Sequence, residues 1–272
     1  MEPFIYESQK FETELKEDLH LAGEVEFLRS VAKPGMSAVD VGAHRGVTTV
    51  TLARSVGPAG YVYAFEPVPE YCQAATDNLR RNGIANAKVF GLALGEQPGR
   101  IRFHQRGGSS GIVPGEDERV LTVSATTIAD FLAQRRVEKI DVLNMDCEGS
   151  ELRVLRGAGA ILREQAPQIF CEMHPDFLRS LGQSPVELVA FLEDLGYRVQ
   201  PVSVEALETR PDLEECSHIY ARRPENQARI QDLEARIRDL KGRMPAHSLR
   251  PSMLQELEEL EEELQKAKEN GS

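Results

Sequence analysis

Two patterns of apolar positions alternate along most of this chain. Between Phe11 and Ala32, Leu15, Leu19 or Leu21, Val25, Leu28 and Val31 approximate one face of a helix, which Lys33-Pro34-Gly35 stops. A β-like run from Ser37 to Val41 follows, then Gly42, then a helical segment from Val47 to Ser55. The alternation continues with a strand at Tyr61 to Phe65, a helix at Glu70 to Asn82 and a strand at Ala87 to Leu94. After it come a helix at Thr127 to Gln134, a strand at Ile140 to Met145, a helix at Ser150 to Gly157, a strand at Gln168 to Glu172 and a helix at Pro185 to Leu195. Further β-like pieces lie at Ile101 to His104, Arg119 to Val123, Tyr197 to Val202 and His218 to Ala221. Strands alternating with helices predict an α/β fold, doubly wound about a mainly parallel sheet.

Past Arg223-Pro224 the pattern changes. Ile230, Leu233, Ile237 and Leu240 fall at spacings of three, four and three among charged residues, and Leu257, Leu260 and Leu264 form a second stripe beside the acidic run Glu258 to Glu263. Two domains are therefore expected, an α/β domain over 1–223 and a helical hairpin or coiled-coil tail over 224–272. Helices this short are marginal alone, so the stripes must pack on each other, on the main domain or on a partner subunit, the last making a homodimer.

Composition narrows the function. At 41% hydrophobic residues the chain can build a substantial core, and its net charge of -12 repels polyphosphate, so no nucleic-acid substrate is expected. No apolar run is long enough to span a membrane, the N-terminus is acidic, and Cys72, Cys147, Cys171 and Cys216 are scattered; a cytoplasmic protein with buried, inert thiols is expected.

The chemistry concentrates at strand ends. In Val39-Asp40-Val41-Gly42-Ala43-His44-Arg45-Gly46 an acid ends an apolar strand and two glycines form the turn before a helix. The spacing is not the G-x-G-x-x-G of dinucleotide enzymes, and Asp40 would repel a phosphate. Glu66 lies twenty-six residues on, where an acid accepts hydrogen bonds from both hydroxyls of a ribose. Together the two acids and two glycines fit a nucleoside-bearing ligand. Asp146 and Glu148 leave the strand ending at Met145, and His174 follows the strand ending at Glu172. Asp146 is the first candidate for orienting the acceptor or donor, Glu148 serves there or at the start of the following helix, and His174 is placed to act as a base near neutral pH. Asp146, Glu172 and His174 have metal-ligand types, but no metal is assigned. His20, His104, His218 and His247 read as ordinary. A loop with Gly107, Gly108, Ser109, Ser110, Gly111 and Pro114 is placed to cover a site.

The runs VDVGAHRG, AFEPVPE and IDVLNMDCEGSELRVLRGA resemble the FkbM family of S-adenosylmethionine-dependent methyltransferases over roughly Val31 to Ala221. The resemblance implies a Rossmann-like methyltransferase fold with S-adenosylmethionine as cofactor. Asp40, Gly42, His44 and Gly46 would cradle its methionine part, Glu66 would hold the ribose, and Ala93 and Leu94 would flank the adenine. It also implies O-methylation of a small metabolite, polyketide-like or sugar-containing acceptor. His44 stands where the family usually has asparagine, and Asn144 where lysine is common. The second departure supports an alternative, a non-catalytic cofactor-binding protein assembled through its helical tail.

Overall fold

The computed structural model describes residues 19–105, 110–112, 119–204, 208–209, 213, 217–224, 227–243 and 251–269. The chain divides into two compact units. One comprises 1–195 with 199–222, and the other 223–272 with 196–198.

In the larger unit α1 (Leu19–Val31) leads into β1 (Ser37–Val41), α2 (Val47–Val56), β2 (Tyr61–Phe65), α3 (Pro69–Arg81) and β3 (Ala87–Phe90). Next come β4 (Ala93–Leu94), β5 (Gly99–Gln105), β6 (Arg119–Thr126), α4 (Ile128–Arg135), β7 (Val142–Met145), α5 (Glu151–Gly157), α6 (Gly159–Glu164) and β8 (Gln168–Glu172). The unit closes with α7 (Pro175–Ser180), α8 (Pro185–Asp194), β9 (Arg198–Ser203), β10 (Glu208–Thr209) and β11 (His218–Arg222).

The main sheet runs β10-β9-β11-β8-β7-β1-β2-β3. Its centre is parallel: β1 pairs with β2 and β7, β2 with β3, and β7 with β8. Strands covered on both faces are near-continuous apolar runs; Ala38, Val39, Val62, Ala64, Val142 and Leu143 are accordingly fully buried. The chain builds outward from β1 to β3, then returns to β7 on the other side of β1. The switch point between β1 and β7 is where open α/β sheets bind ligands, at the carboxyl ends of the strands.

The segment read as one strand from Ala87 to Leu94 is two. Leu92 N–H donates to Phe90 O at 2.8 Å, a turn that ends β3. Ala93–Leu94 then pairs with β6 in a separate three-stranded sheet, β4-β6-β5, in which β5 and β6 are antiparallel. Helices α6 and α7 are also additions to the sequence reading, and residues 11–18 of its first helix lie outside the described residues.

In the smaller unit α9 (Gln227–Arg243) and α10 (Pro251–Glu269) face one another. Ile230, Leu233, Ile237 and Leu240 bury themselves with Leu260 and Ala267, against Met253, Leu257 and Leu264. Among the three partners open to the stripes, each thus meets the other stripe of the same chain. Lys241 reaches Glu261 across the pair at 2.7 Å.

Candidate functional site

The turn after β1 is built by glycine. Gly42 has φ 85° and Gly46 φ 88°, left-handed conformations that side-chain-bearing residues rarely adopt. Gly42 also has no room for a side chain, since a Cβ would sit 1.7 Å from the Asp146 carbonyl oxygen. At Gly46 a Cβ would press on Ala75 of α3 at 3.2 Å, so this glycine serves the packing of two helices and stands outside the cleft lining. His44, at φ 47°, completes the turn.

Asp40 does not reach the cleft. It is fully buried, and its carboxylate accepts from the Thr48 hydroxyl at 3.0 Å, the Thr49 hydroxyl at 2.5 Å and Asn144 Nδ2 at 2.8 Å. Burial raises its pKa above the usual carboxylate range, against the pull of these three donors. Asp40 therefore braces the turn from beneath rather than cradling a ligand, and Asn144 is its partner rather than a member of the acceptor site.

The cleft at the carboxyl ends of β1, β2 and β7 is lined by Val41, Gly42, His44, Glu66, Pro67 and Tyr71 on one side. Ala93, Leu94, Ser110, Ile112, Asp146 and Glu148 are among the residues opposite. Glu66 is buried; its two oxygens accept from the backbone N–H of Val68 and of His44, each at 2.8 Å. Each oxygen keeps a lone pair for a ligand hydroxyl. Burial lifts the Glu66 pKa to about 7, opposed by the two backbone bonds. His44 is held neutral, its pKa lowered to about 4 by burial and then by Arg45, and its buried Nε2 makes no hydrogen bond. A buried polar atom without a partner in a ligand cleft is a place for a ligand's donor or acceptor. Of the loop residues expected to cover the site, Ser110 and Ile112 line the cleft, while Gly107, Gly108, Ser109 and Pro114 lie outside the described residues.

At the far wall Asp146, Glu148 and His174 converge. His174 Nε2 is 3.7 Å from Asp146 Oδ1, 3.5 Å from Glu148 Oε2 and 3.7 Å from Glu172 Oε1. Its Nδ1 meets Glu151 Oε1 at 2.8 Å. Glu148 sits at φ 50° and Gly149 at φ 96°, so two left-handed residues fold the chain back after β7 and bring the carboxylate toward the imidazole. Burial alone would depress the His174 pKa. The Glu151 hydrogen bond and the charges of Glu151, Asp146 and Glu148 outweigh it and hold the ring at about 10. This corrects the expectation of a neutral-pH histidine base: by itself the imidazole is a proton donor at pH 7. The base strength lies with Asp146, whose pKa burial, Glu172 and Glu148 raise well above the usual range.

Glu151, unread as a site residue in the sequence, is fully buried at the start of α5. Its one sequence signal, an acid in a helix's first turn, is common for structural reasons. Nor are His20 and His218 ordinary. His218 is fully buried with Nε2 2.9 Å from Glu24 Oε1, and His20 Nε2 lies 3.5 Å from Glu172 Oε1. Among the thiols described, Cys171 is buried while Cys72 and Cys147 are partly exposed.

The topology, the glycine turn after β1 and an acid closing β2 define a Rossmann-like S-adenosylmethionine-dependent methyltransferase. Residues 40–199 match the methyltransferase FkbM domain. The chain belongs to the FkbM methyltransferase family, and its cofactor is S-adenosylmethionine. It is 28% identical over 200 residues to 31-O-demethyl-FK506 methyltransferase FkbM of Streptomyces tacrolimicus, covering 61% of this chain and 74% of that protein. A shorter match, 39% over 61 residues, links it to protein-L-isoaspartate O-methyltransferase of Triticum aestivum; it covers 22% of this chain and spans only 26% of that protein. Among solved structures, methyltransferase FkbM from Methylobacillus flagellatus KT is similar with a TM-score of 0.48 at 20% identity, covering 73% of this chain and 50% of that one.

Proposed function

We propose that this chain transfers the methyl group of S-adenosylmethionine to a hydroxyl oxygen of a small-molecule acceptor, polyketide-like or sugar-containing. The observation that carries this reading is Asp146 Oδ1, a buried carboxylate oxygen without a hydrogen bond in the lining of the cofactor cleft. A carboxylate with a raised pKa is a competent base for a hydroxyl proton. The name of the Streptomyces relative, 31-O-demethyl-FK506 methyltransferase, supports an oxygen of a small molecule as the acceptor.

The bound cofactor supplies a sulfonium methyl group that already carries its driving force. The chain's task is alignment and proton removal. The Gly42 and His44 backbone and the unpartnered His44 Nε2 would receive the methionine part, Glu66 the ribose, and Ala93 with Leu94 the adenine. Asp146 would take the acceptor proton, with Glu148 and His174 setting its charge. An adjoining cleft of about 640 Å³, bordered by Arg102, Arg153, Ile112 and Leu181, shares Leu94 and Ser150 with the first and offers the acceptor room. Net charge of -12 speaks against nucleic acid as acceptor, and among the described residues no helix is long and apolar enough to cross a membrane. Asn144, which had supported a non-catalytic reading, braces Asp40 instead. The covered stripes of α9 and α10 support a hairpin within one chain over a dimer seam.

Calorimetric titration with S-adenosylmethionine and S-adenosylhomocysteine, with Glu66→Ala and a nicotinamide dinucleotide as controls, tests the cofactor half. Saturable binding of both sulfur ligands, lost in the variant and not seen with the dinucleotide, is expected. An acceptor screen then tests the rest: Asp146→Asn should keep cofactor binding and lose turnover, and a variant as active as the parent would remove Asp146 from the reaction.

A further inference from the structure

We propose that Asp146, Glu148 and His174 form the binding site of a divalent first-row cation of the Mn²⁺ class. The separations carry the argument. His174 Nε2 faces Glu148 Oε2 at 3.5 Å, Asp146 Oδ1 at 3.7 Å and Glu172 Oε1 at 3.7 Å. These are longer than a good N–H···O bond of about 2.7–3.2 Å. Donors bound about 2.1 Å from one ion stand roughly 3.0–3.4 Å apart, so the two separations from His174 Nε2 to Asp146 and Glu148 need to close by only a few tenths of an ångström. One ligand atom from each of Asp146, Glu148 and His174 lies within 4.8 Å of the others.

Two further features prepare the imidazole and the acid as ligands. A carboxylate only accepts, so Nδ1–H donates to Glu151 Oε1 at 2.8 Å, and a cation binds Nε2 by displacing to solvent the proton that the surrounding acids otherwise hold there. A buried carboxylate on the far nitrogen is the usual outer partner of a metal-bound histidine, fixing tautomer and ring plane. Asp146 Oδ1, the oxygen facing Nε2, is buried with no hydrogen bond, which leaves its lone pairs open to a cation. Two carboxylates and one imidazole suit Mn²⁺, Fe²⁺ or Zn²⁺ better than Ca²⁺, which takes oxygen donors alone.

The consequence for chemistry rests on the methyl-transfer reading. A cation here borders the cofactor cleft, and an acceptor hydroxyl bound to it is more acidic than in water. Its O–H bond breaks and the proton passes to the oxygen of Asp146 or Glu148 not engaged with the ion. The oxygen–methyl bond then forms as the sulfur–methyl bond breaks, sulfur keeping the electron pair, and S-adenosylhomocysteine leaves.

Binding is tested without cofactor or acceptor. Full-length protein stripped with a chelator is titrated with MnCl₂ by calorimetry and electron paramagnetic resonance. One Mn²⁺ per chain is expected, with spin-echo modulation from one imidazole nitrogen that His174→Ala abolishes. Asp146→Asn, which keeps the shape should His174→Ala fail to fold, is expected to weaken binding at least tenfold. Glu151→Gln is expected to weaken it about tenfold while leaving the circular dichroism unchanged. Absence of saturable Mn²⁺ binding, or binding indifferent to both ligand variants, overturns the proposal. Loss of S-adenosylmethionine binding with Mn²⁺ binding intact instead strikes the methyl-transfer reading and leaves the cation site standing.

Discussion

Asn144 Nδ2 donates to Asp40 Oδ1 at 2.8 Å, between positions that stand directly opposite on the central strands β7 and β1. A neutral amide thus meets a buried acid where lysine is common in the family. The carboxylate has three donors and no cation, which is why burial dominates its pKa. Removing the amide with Asn144→Ala leaves Oδ1 without a donor in a dry site, at a cost of about 1–3 kcal/mol. The urea midpoint at pH 7 should fall accordingly. In a double-mutant cycle Asp40→Asn and Asn144→Ala should be coupled; strictly additive losses would mean that the pair is not an energetic unit.

Gly42 should tolerate no side chain. A Cβ there meets the Asp146 carbonyl oxygen at 1.7 Å in addition to the strain of φ 85°, and the Asp146 backbone, tied by its N–H to Val41 O at 2.9 Å, cannot readily step aside. Gly42→Ala should cost roughly 3 kcal/mol or more and abolish cofactor binding. Gly83→Ala provides the contrast: φ is 66° with open space around it, so only the conformational cost of about 1–2 kcal/mol applies. Equal losses in chemical denaturation would show that strain rather than the close approach governs Gly42.

Glu66 should make the ligand-free protein less stable as pH rises toward neutrality. Its pKa is about 7 in the fold against an ordinary 4.5, so the folded protein holds this proton more tightly than the unfolded chain. The stability that the proton lends is full below about pH 4.5 and drains away as pH climbs through 7. The swing amounts to about 3 kcal/mol. Glu66→Gln cannot titrate, so the difference in unfolding free energy between parent and variant should shift in the variant's favour from pH 4.5 to 7.5. A difference independent of pH would place the Glu66 pKa near its ordinary value.

The parts of this molecule legible in sequence are those whose partners are close in the chain or whose backbone demands are extreme. Gly42 and Glu66 announce themselves because a turn without Cβ and an acid closing an apolar strand are local facts. Period-two alternation finds β5 and β6 but carries no information about which sheet a strand joins, so the departure of Ala93–Leu94 from β3 could not be read. Long-range polar pairs are invisible for the same reason. Glu24 and His218 are 194 residues apart, and Asn144 and Asp40 are 104 apart. His174 was found, but its charge was misjudged, because the acid that sets it, Glu151, looks like any first-turn glutamate.

The helical hairpin offers the last test. Leu233 is 1% exposed, at the centre of the apolar cluster that α9 and α10 share, and neither helix has another stripe of comparable length to bury. Leu233→Asp places an unpaired charge in that cluster. At 17 and 19 residues the helices are near the length at which isolated helices fail in water, so both should melt together. Circular dichroism should lose helix signal in proportion, while calorimetric binding of S-adenosylmethionine by the α/β unit should stay within twofold of the parent. Because the stripes already cover one another within one chain, light scattering should give the same particle mass before and after the substitution. A mass that halves would instead make this stripe a seam between subunits, with the hairpin packing exchanged between chains.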